Sequence, residues 1–388
     1  MAGTVVGTIA PGFERVREVL ERQIAEGEHV GAAVAAYHKG APVVDLWGGL
    51  ADEAGGRPWR QDSISVVFST TKGLAATCLH MLVERGKLSY DDPVCKHWPQ
   101  FAKNGKEAIT VRHVLTHQAG IPQQPEGLDH DQMLDWETMV HAVEDLTPLW
   151  KPGAMSGYHP YNIGWIVGEL VRRVDGRTIG TFLREEVAGP LGLRDLHIGL
   201  PPEKEGQVAP LHSLIEENPA LQAQIEQWIN PNTIAGKALP RWMSNALDFM
   251  NTPEAHRAEI PAAGGIAAAR DLARLYACLG NGGSLDGVTI MRPETIAAAT
   301  VRQTYRPDAT LIIPIGWALG YMTGGAIISV SGPRETSFGH AGFGGSNAFA
   351  DPEIGLAFAY VPNGLVLDLV GDPRAFALAQ AARDCASA

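Results

Sequence analysis

The sequence predicts an α+β fold: an antiparallel sheet built from both ends of the chain and flanked by helices, with a mainly helical lobe between. Three observations predict it. A hairpin signal lies near the start, short helices broken by proline and glycine run from Leu88 to about Pro240, and strand-like segments return after Ala262 before a closing helix. The expected division is an α/β domain from residues 1–75 and 260–388 and a mainly helical domain from 76–259, with an active site in the cleft between them.

Taken in order, "APGFERVREVLERQIAEG" (Ala10–Gly27) has helical spacing, with Phe13, Val16, Val19, Leu20 and Ile24 on one face. "VGAAVAAYHKG" and "PVVDLWGGLAD" read as two strands joined at Lys39-Gly40, a hairpin signal. "SISVVF" is a short apolar run that delivers the chain to Ser69, and a helix follows to about Glu84, stopped at Gly86. The middle offers "VRHVLTH", "DQMLDWETMVHAVEDL", "YNIGWIVGELVRRVDG", "TIGTFLREEV" and "PALQAQIEQWI" as helices. After Ala262, "ARDLARLYACLGNGG" is a helix closed by glycines. "GWALGYM", "SNAFADP" and "GLAFAYVP" read as strands, and "DPRAFALAQAARDCA" is a last helix.

The chain has 388 residues, 45% hydrophobic and 19% charged, which suits a soluble globular protein with a sizeable core. A formal charge of −12 and the absence of any lysine/arginine run argue against nucleic acid and against an anionic membrane surface as partners. "MAGTVVGTIAPGFERVREVLERQ" has no basic region followed by an apolar one, and no apolar stretch approaches the roughly 20 residues of a membrane span. Cys78, Cys95, Cys278 and Cys385 are scattered and are expected to be free thiols, which points to the cytoplasm.

The chemistry centres on "FSTTKGLAATCLHMLVERG" (Phe68–Gly86). A serine hydroxyl needs a base within hydrogen-bond reach to become a nucleophile. On a helix, positions i and i+3 share a face, so the Lys72 amine can reach the Ser69 hydroxyl. The helix N-terminus stabilises negative charge beside it. Apolar Phe68, Leu74 and Ala75 would desolvate Lys72 and lower its pKa. Of nine lysines only Lys72 has a serine three positions before it. The bland alternative is that Ser69 caps the helix while Lys72 snorkels to solvent.

Two further segments favour chemistry. "LWKPGAMSGYHPYNIGWIVGELVRRVDGR" sets Tyr158 in a turn feeding a helix, where a phenol of depressed pKa could take the Ser69 proton and share it with Lys72. "SFGHAGFGGSNAFADPEIGLAFAYV" sets His340-Ala341-Gly342 before a glycine-rich stretch whose backbone can approach a ligand and complete an oxyanion hole.

Together these three stretches resemble the serine β-lactamase and penicillin-binding-protein superfamily, and within it the family VIII carboxylesterases, relatives of class C β-lactamases. "VRHVLTHQAGI" and "AAGGIAAARDLARLYACL" add to the likeness, which spans nearly the whole length. The resemblance implies a β-lactamase-like fold. It makes Ser69 the acylated nucleophile, with Lys72 and Tyr158 acting together as general base and then general acid. The N–H groups of Ser69 and Phe343 would form the oxyanion hole. His340, Ala341, Gly342 and His159 are the expected substrate-binding residues.

The chain departs from class C β-lactamases at two points. Tyr158-His159-Pro160 stands where they carry Tyr-x-Asn, and His340-Ala341-Gly342 where they carry Lys-Thr-Gly. The groups those enzymes use on a lactam side chain and carboxylate are therefore missing, while simple ester hydrolysis needs neither. His340 could orient Tyr158 or the substrate, or simply pack.

Other constellations are weaker. His113 and His117 lie four apart, but no acidic partner completes a metal motif, and helix packing accounts for them. No GxSxG elbow, GxGxxG or GxxxxGK[ST] occurs. A Ser69–His340–Asp351 triad would leave the Ser69–Lys72 spacing unexplained. Trp150, Trp165, Trp228 and Trp242 could line an acyl pocket or fill the core, and His159 and Tyr161 could touch substrate or pack in the turn.

The expectation is a serine hydrolase acting on small-molecule carboxylic esters of short acyl chain, with no metal or organic cofactor. Its alternatives are an acyltransferase, a weak β-lactamase or D-Ala-D-Ala peptidase, and a non-catalytic protein that binds acyl or peptidyl ligands. Oligomeric state is not read from the sequence.

Overall fold

The computed structural model describes residues 4–215, 225–226, 228–240, 246–326, 329, 331–367 and 371–388. The expected helix at 219–229 lies largely outside these residues. The first strands are β1 (Val6–Ile9), β2 (Gly31–His38) and β3 (Ala41–Asp52). Lys39 and Gly40 between the last two both adopt positive φ, 50° and 81°, the two-residue turn whose twist matches antiparallel strands. β1 was not expected: four residues with an exposed pattern and a central Gly7 give no alternation to read.

A second, small sheet is formed by β4 (Ser65–Val66), β5 (Leu196–Ile198) and β6 (Gly265–Ala267), in the order β4-β6-β5. Six more strands close the main sheet: β7 (Thr304–Pro307), β8 (Pro314–Trp317), β9 (Met322–Thr323), β10 (Phe338–Ala341), β11 (Asn347–Asp351) and β12 (Leu356–Pro362). Its order is β1-β3-β2-β12-β11-β10-β9-β8-β7, antiparallel throughout, with the short strand Arg57–Pro58 beside β3. "GWALGYM" is thus two strand ends rather than one strand. Gly320 at φ 82° turns the chain so that Trp317 pairs with Met322.

β12 lies against β2, with Leu356 opposite His38 and Pro362 opposite Ala32, so the two ends of the chain meet at the centre of the sheet. Alternation along β2 sorts its side chains. Ala32, Val34 and Ala36 pack toward α1 (Glu14–Ala25) and the closing helix α7 (Pro373–Ser387). Ala33, Ala35 and Tyr37 face α6 (Ala269–Gly280) and the larger core.

The helix after Ser69 is α2 (Thr71–Glu84), buried from Thr71 through Leu82 on every side. A helix this enclosed shows little amphipathic pattern. The helical middle contributes α3 (Val111–Leu115), α4 (Trp136–Asp145) and α5 (Asn162–Asp175), the last packed along α2.

Candidate active site

The segment that carries Ser69 is held in a strained, heavily bonded turn. Phe68 has φ 41°, the left-handed region that a bulky side chain seldom adopts, and Ser69 follows it in a single 3₁₀ turn that runs into α2. Residues far away in sequence fix this turn. The Val67 N–H donates to the Gly265 carbonyl at 2.8 Å, and the Gly265 N–H donates to Thr71 Oγ1 at 2.8 Å. Ser346 Oγ donates to the Val67 carbonyl at 2.7 Å, and Thr70 Oγ1 donates to the His340 carbonyl at 3.3 Å. Gly342 makes the approach of Ser346 to Val67 possible, since a Cβ there would lie 2.2 Å from both Ser346 Oγ and the Val67 carbonyl.

Ser69 Oγ sits 2.9 Å from Lys72 Nζ and 2.6 Å from the Tyr158 hydroxyl, so three of the expected residues converge on one oxygen. Lys72 is 3% exposed and does not snorkel. Its Nζ also donates to the carbonyls of Pro160 at 2.8 Å and Ala262 at 2.9 Å. Burial alone pushes its pKa well below the usual 10.5. Once deprotonated, the amine has two N–H groups, one for each carbonyl, and its lone pair faces the Ser69 hydroxyl.

Tyr158 corrects one expectation. Its phenol is not depressed: burial pushes its pKa above the ordinary 10.0, outweighing the hydrogen bond to Ser69 that favours ionisation. At rest the hydroxyl is protonated and donates to Ser69 Oγ.

Residues not singled out for this role hold Tyr158 in place. Its N–H donates to buried Asp308 Oδ1 at 2.8 Å. Asp308 also accepts from the N–H groups of Thr310 at 2.9 Å and Leu311 at 3.0 Å, and from Trp317 Nε1 at 3.3 Å. The Trp317 ring lies parallel to the Tyr158 ring at 5.8 Å, and the His117 ring tilts against it at 4.9 Å. His117 Nδ1 accepts the His159 N–H at 3.0 Å, and His117 itself has φ 56°. The only signal for Asp308 was the Pro-Asp dipeptide of a turn, and His117 had been weighed only as a partner for His113.

The remaining expected residues divide. His159 is buried with both ring nitrogens engaged by backbone, Nδ1 with the Gly157 carbonyl at 2.6 Å and Nε2 with the Ile121 N–H at 3.1 Å. It organises the turn around Tyr158 and has no ring nitrogen left for a substrate. His340 is fully buried on β10 with Nδ1 donating to the Ala341 carbonyl at 2.7 Å, and burial lowers its pKa to about 3. The ring is therefore neutral, with an unpartnered Nε2 lone pair among the described residues. Ala341 packs with Tyr158, Ile315 and Trp317. Phe343 begins the turn Phe343–Gly345 and meets Phe68 edge-on at 5.5 Å. No acceptor among the described residues takes the N–H of Ser69 or of Phe343.

No triad forms around His340, because Asp351 Oδ2 pairs with Arg334 Nη1 at 2.9 Å. Trp165 is core, Trp150 lies over Gly157, and Trp242 is outside the described residues. His113 Nδ1 accepts the Thr110 N–H and caps α3. Among the described residues no three His, Cys, Asp or Glu side chains gather to hold a metal ion, and no helix is long and apolar enough to cross a membrane.

Comparison with known proteins agrees with this geometry. A protein named esterase/beta-lactamase LipL, from Mycobacterium tuberculosis, is 37% identical over 378 residues, covering 94% of this chain and 84% of its own length. Esterase EstB from Burkholderia gladioli is 26% identical over 375 residues, 90% of each chain. The solved structure of a family VIII carboxylesterase matches with a TM-score of 0.89 at 34% identity, covering 98% of this chain and all of the other. A penicillin-binding protein homologue from Caulobacter crescentus matches with a TM-score of 0.86 at 40% identity, again over 98% of this chain and all of the other. The family described as Beta-lactamase matches residues 16–383, and with so little of the sequence left over, the chain belongs to that family.

Proposed function

We propose that this protein is a serine carboxylesterase that hydrolyses small-molecule esters through an acyl-enzyme on Ser69. The observation that carries the reading is one oxygen, Ser69 Oγ, held between a desolvated amine at 2.9 Å and a protonated phenol at 2.6 Å.

In acylation, Lys72 takes the Ser69 proton on its lone pair while Oγ bonds to the ester carbonyl carbon. The carbonyl oxygen gains charge opposite the N–H groups of Ser69 and Phe343, both without an acceptor among the described residues. The carbon–oxygen bond to the alcohol then breaks. Tyr158 supplies the proton the alcohol needs and recovers one from the Lys72 ammonium. Water repeats the sequence on the acyl-enzyme, giving its proton to the same pair and releasing the acid with Ser69 restored.

An ester rather than a lactam is favoured by the third motif. A lactam carboxylate calls for a cation there, and His340 is neutral and enclosed. The double name of the Mycobacterium tuberculosis relative gives lactam hydrolysis its place as the second reading. On this proposal residues 1–75 and 260–388 make one lobe, 76–259 the other, and the site lies in the cleft between them. The four free cysteines, two of them buried, suit a reducing compartment such as the cytoplasm.

The test is kcat/KM for a short-chain nitrophenyl ester beside a chromogenic cephalosporin, together with labelling by a serine-reactive phosphonate. The ester is expected to lead by orders of magnitude, with one adduct lost in Ser69→Ala. A lead for the cephalosporin would overturn the ester reading, and an absent adduct would make this a binding protein.

A further inference from the structure

The Phe343–Gly345 turn offers an N–H to the site, yet its own sequence hardly defines its shape. Gly344 and Gly345 have φ of 79° and 116°, and glycine populates both signs of φ with little preference. Something outside the turn must choose the conformation. Two internal bonds contribute, from the Gly342 N–H to the Ser346 carbonyl at 2.7 Å and from the Gly345 N–H to the Gly342 carbonyl at 3.2 Å. Neither engages the Gly344 carbonyl.

That carbonyl is held by Arg374, on the first turn of α7. Arg374 Nη2 donates to the Gly344 carbonyl at 3.0 Å and to Asp372 Oδ2 at 2.7 Å. Nη1 donates to the carbonyls of Glu28 at 2.9 Å and Gly364 at 3.0 Å. Nε donates to the Asp372 carboxylate at 3.1 Å. All five N–H donors of the guanidinium are therefore used, and the group is 4% exposed.

Asp372 clamps the arginine from below and accepts the Arg374 N–H at 2.8 Å, which caps α7. It also meets the turn directly: a Cβ on Gly345 would lie 1.9 Å from Asp372 Oδ2 and 3.1 Å from Arg374 Nη2. The ion pair forms the wall against which the turn is folded.

We propose that Arg374, fixed by Asp372, is a positioning residue for the oxyanion hole: by anchoring the Gly344 carbonyl it sets the direction of the Phe343 N–H. This rests on the oxyanion assignment made above. A fold latch alone would need only the Glu28 and Gly364 carbonyls, which tie α7 to the sheet. The bond to Gly344 reaches instead into one of the two segments that supply the site with a backbone donor. Freed of it, the two glycines let the peptide planes beside Phe343 rotate, and the N–H no longer points at the developing charge.

The test compares wild type, Arg374→Gln and Asp372→Asn below their melting temperatures. It reads kcat and KM for a short-chain nitrophenyl ester, the inhibition constant of an alkylboronic acid whose tetrahedral adduct places an oxygen in the oxyanion hole, and Tm. Complete loss of an oxyanion donor costs about 10²–10³ in kcat, so a misdirected one is expected to cost about 10- to 100-fold. Boronate affinity should fall by a similar factor and KM should move less than about threefold. Asp372→Asn, which keeps the cap and the shape, should show a smaller loss of the same kind. Unchanged kcat and boronate affinity with only a lowered Tm would overturn the proposal, and so would failure of both variants to fold. Phosphonate labelling of wild-type Ser69 scores the esterase reading separately from these ratios.

Discussion

Acid should unfold this protein at a pH set by its buried histidines. Burial lowers His29, His159 and His340 to about 3 and His80 to about 4, all from 6.5. Between these limits the unfolded chain binds protons that the folded one excludes, so the stability is complete above pH 6.5 and is lost as pH falls toward 3–4. At pH 5 each group lies about 1.5 units below its unfolded value, which at 1.36 kcal/mol per unit is about 2 kcal/mol, or about 8 for the four. Asp271, raised to about 6 by burial, opposes this by about 1 kcal/mol. The net loss, roughly 6–7 kcal/mol, is comparable to the 5–15 kcal/mol total of a typical domain. Equilibrium urea titrations monitored by circular dichroism at pH 8, 6.5, 5.5 and 5 give the loss directly. The slope near pH 5 should reach roughly 4–5 kcal/mol per pH unit, the signature of three to four extra protons bound on unfolding. A stability that stays within about 2 kcal/mol from pH 7 to 5 would refute the reasoning, because the rings would then be reachable by protons without unfolding.

Three other outcomes are expected. The pH profile of ester kcat/KM should show an acid limb from Lys72 centred well below 10.5 and an alkaline limb from Tyr158 above 10.0; a rise centred on 10.5 would mean that burial does not lower the lysine. Tyr158→Phe should lower kcat by about 10²–10⁴ while KM changes little, as steady-state kinetics on the same ester will report. Gly342→Ala forces a methyl to 2.2 Å from Ser346 Oγ and the Val67 carbonyl. It should cost about 1–3 kcal/mol or more by urea denaturation and abolish phosphonate labelling.

The parts of the site visible in the sequence are those defined by local spacing. Ser69 and Lys72 are one helical step apart, and the glycines after His340 announce a close backbone approach. Lys39-Gly40 marked the hairpin because a turn of that type needs two residues tolerant of positive φ. What escaped depends on distance along the chain. Asp308 serves Tyr158 through a backbone N–H 150 positions away, and Arg374 serves Gly344 through a carbonyl. Main-chain partners leave no mark on residue type. His159 adjoins Tyr158 in sequence and so reads as a substrate contact, but both its ring nitrogens bond to backbone in the buried turn. The raised pKa of the phenol is hidden for a related reason: neighbouring residue types do not reveal that it is enclosed.

The pairing of β12 with β2 at the centre of the sheet has a bearing on synthesis. While the ribosome is still adding residues up to 355, β2 lacks its neighbour on one side, and the segments that fix the Ser69 turn from beyond Phe338 have little to dock on. An emerging chain therefore carries its serine, lysine and tyrosine long before they can meet. A fragment stopped at residue 355 should take up no phosphonate, and adding a separately made piece carrying β12 and the closing helix should switch labelling on. Reactivity, in this molecule, is the final thing translation completes.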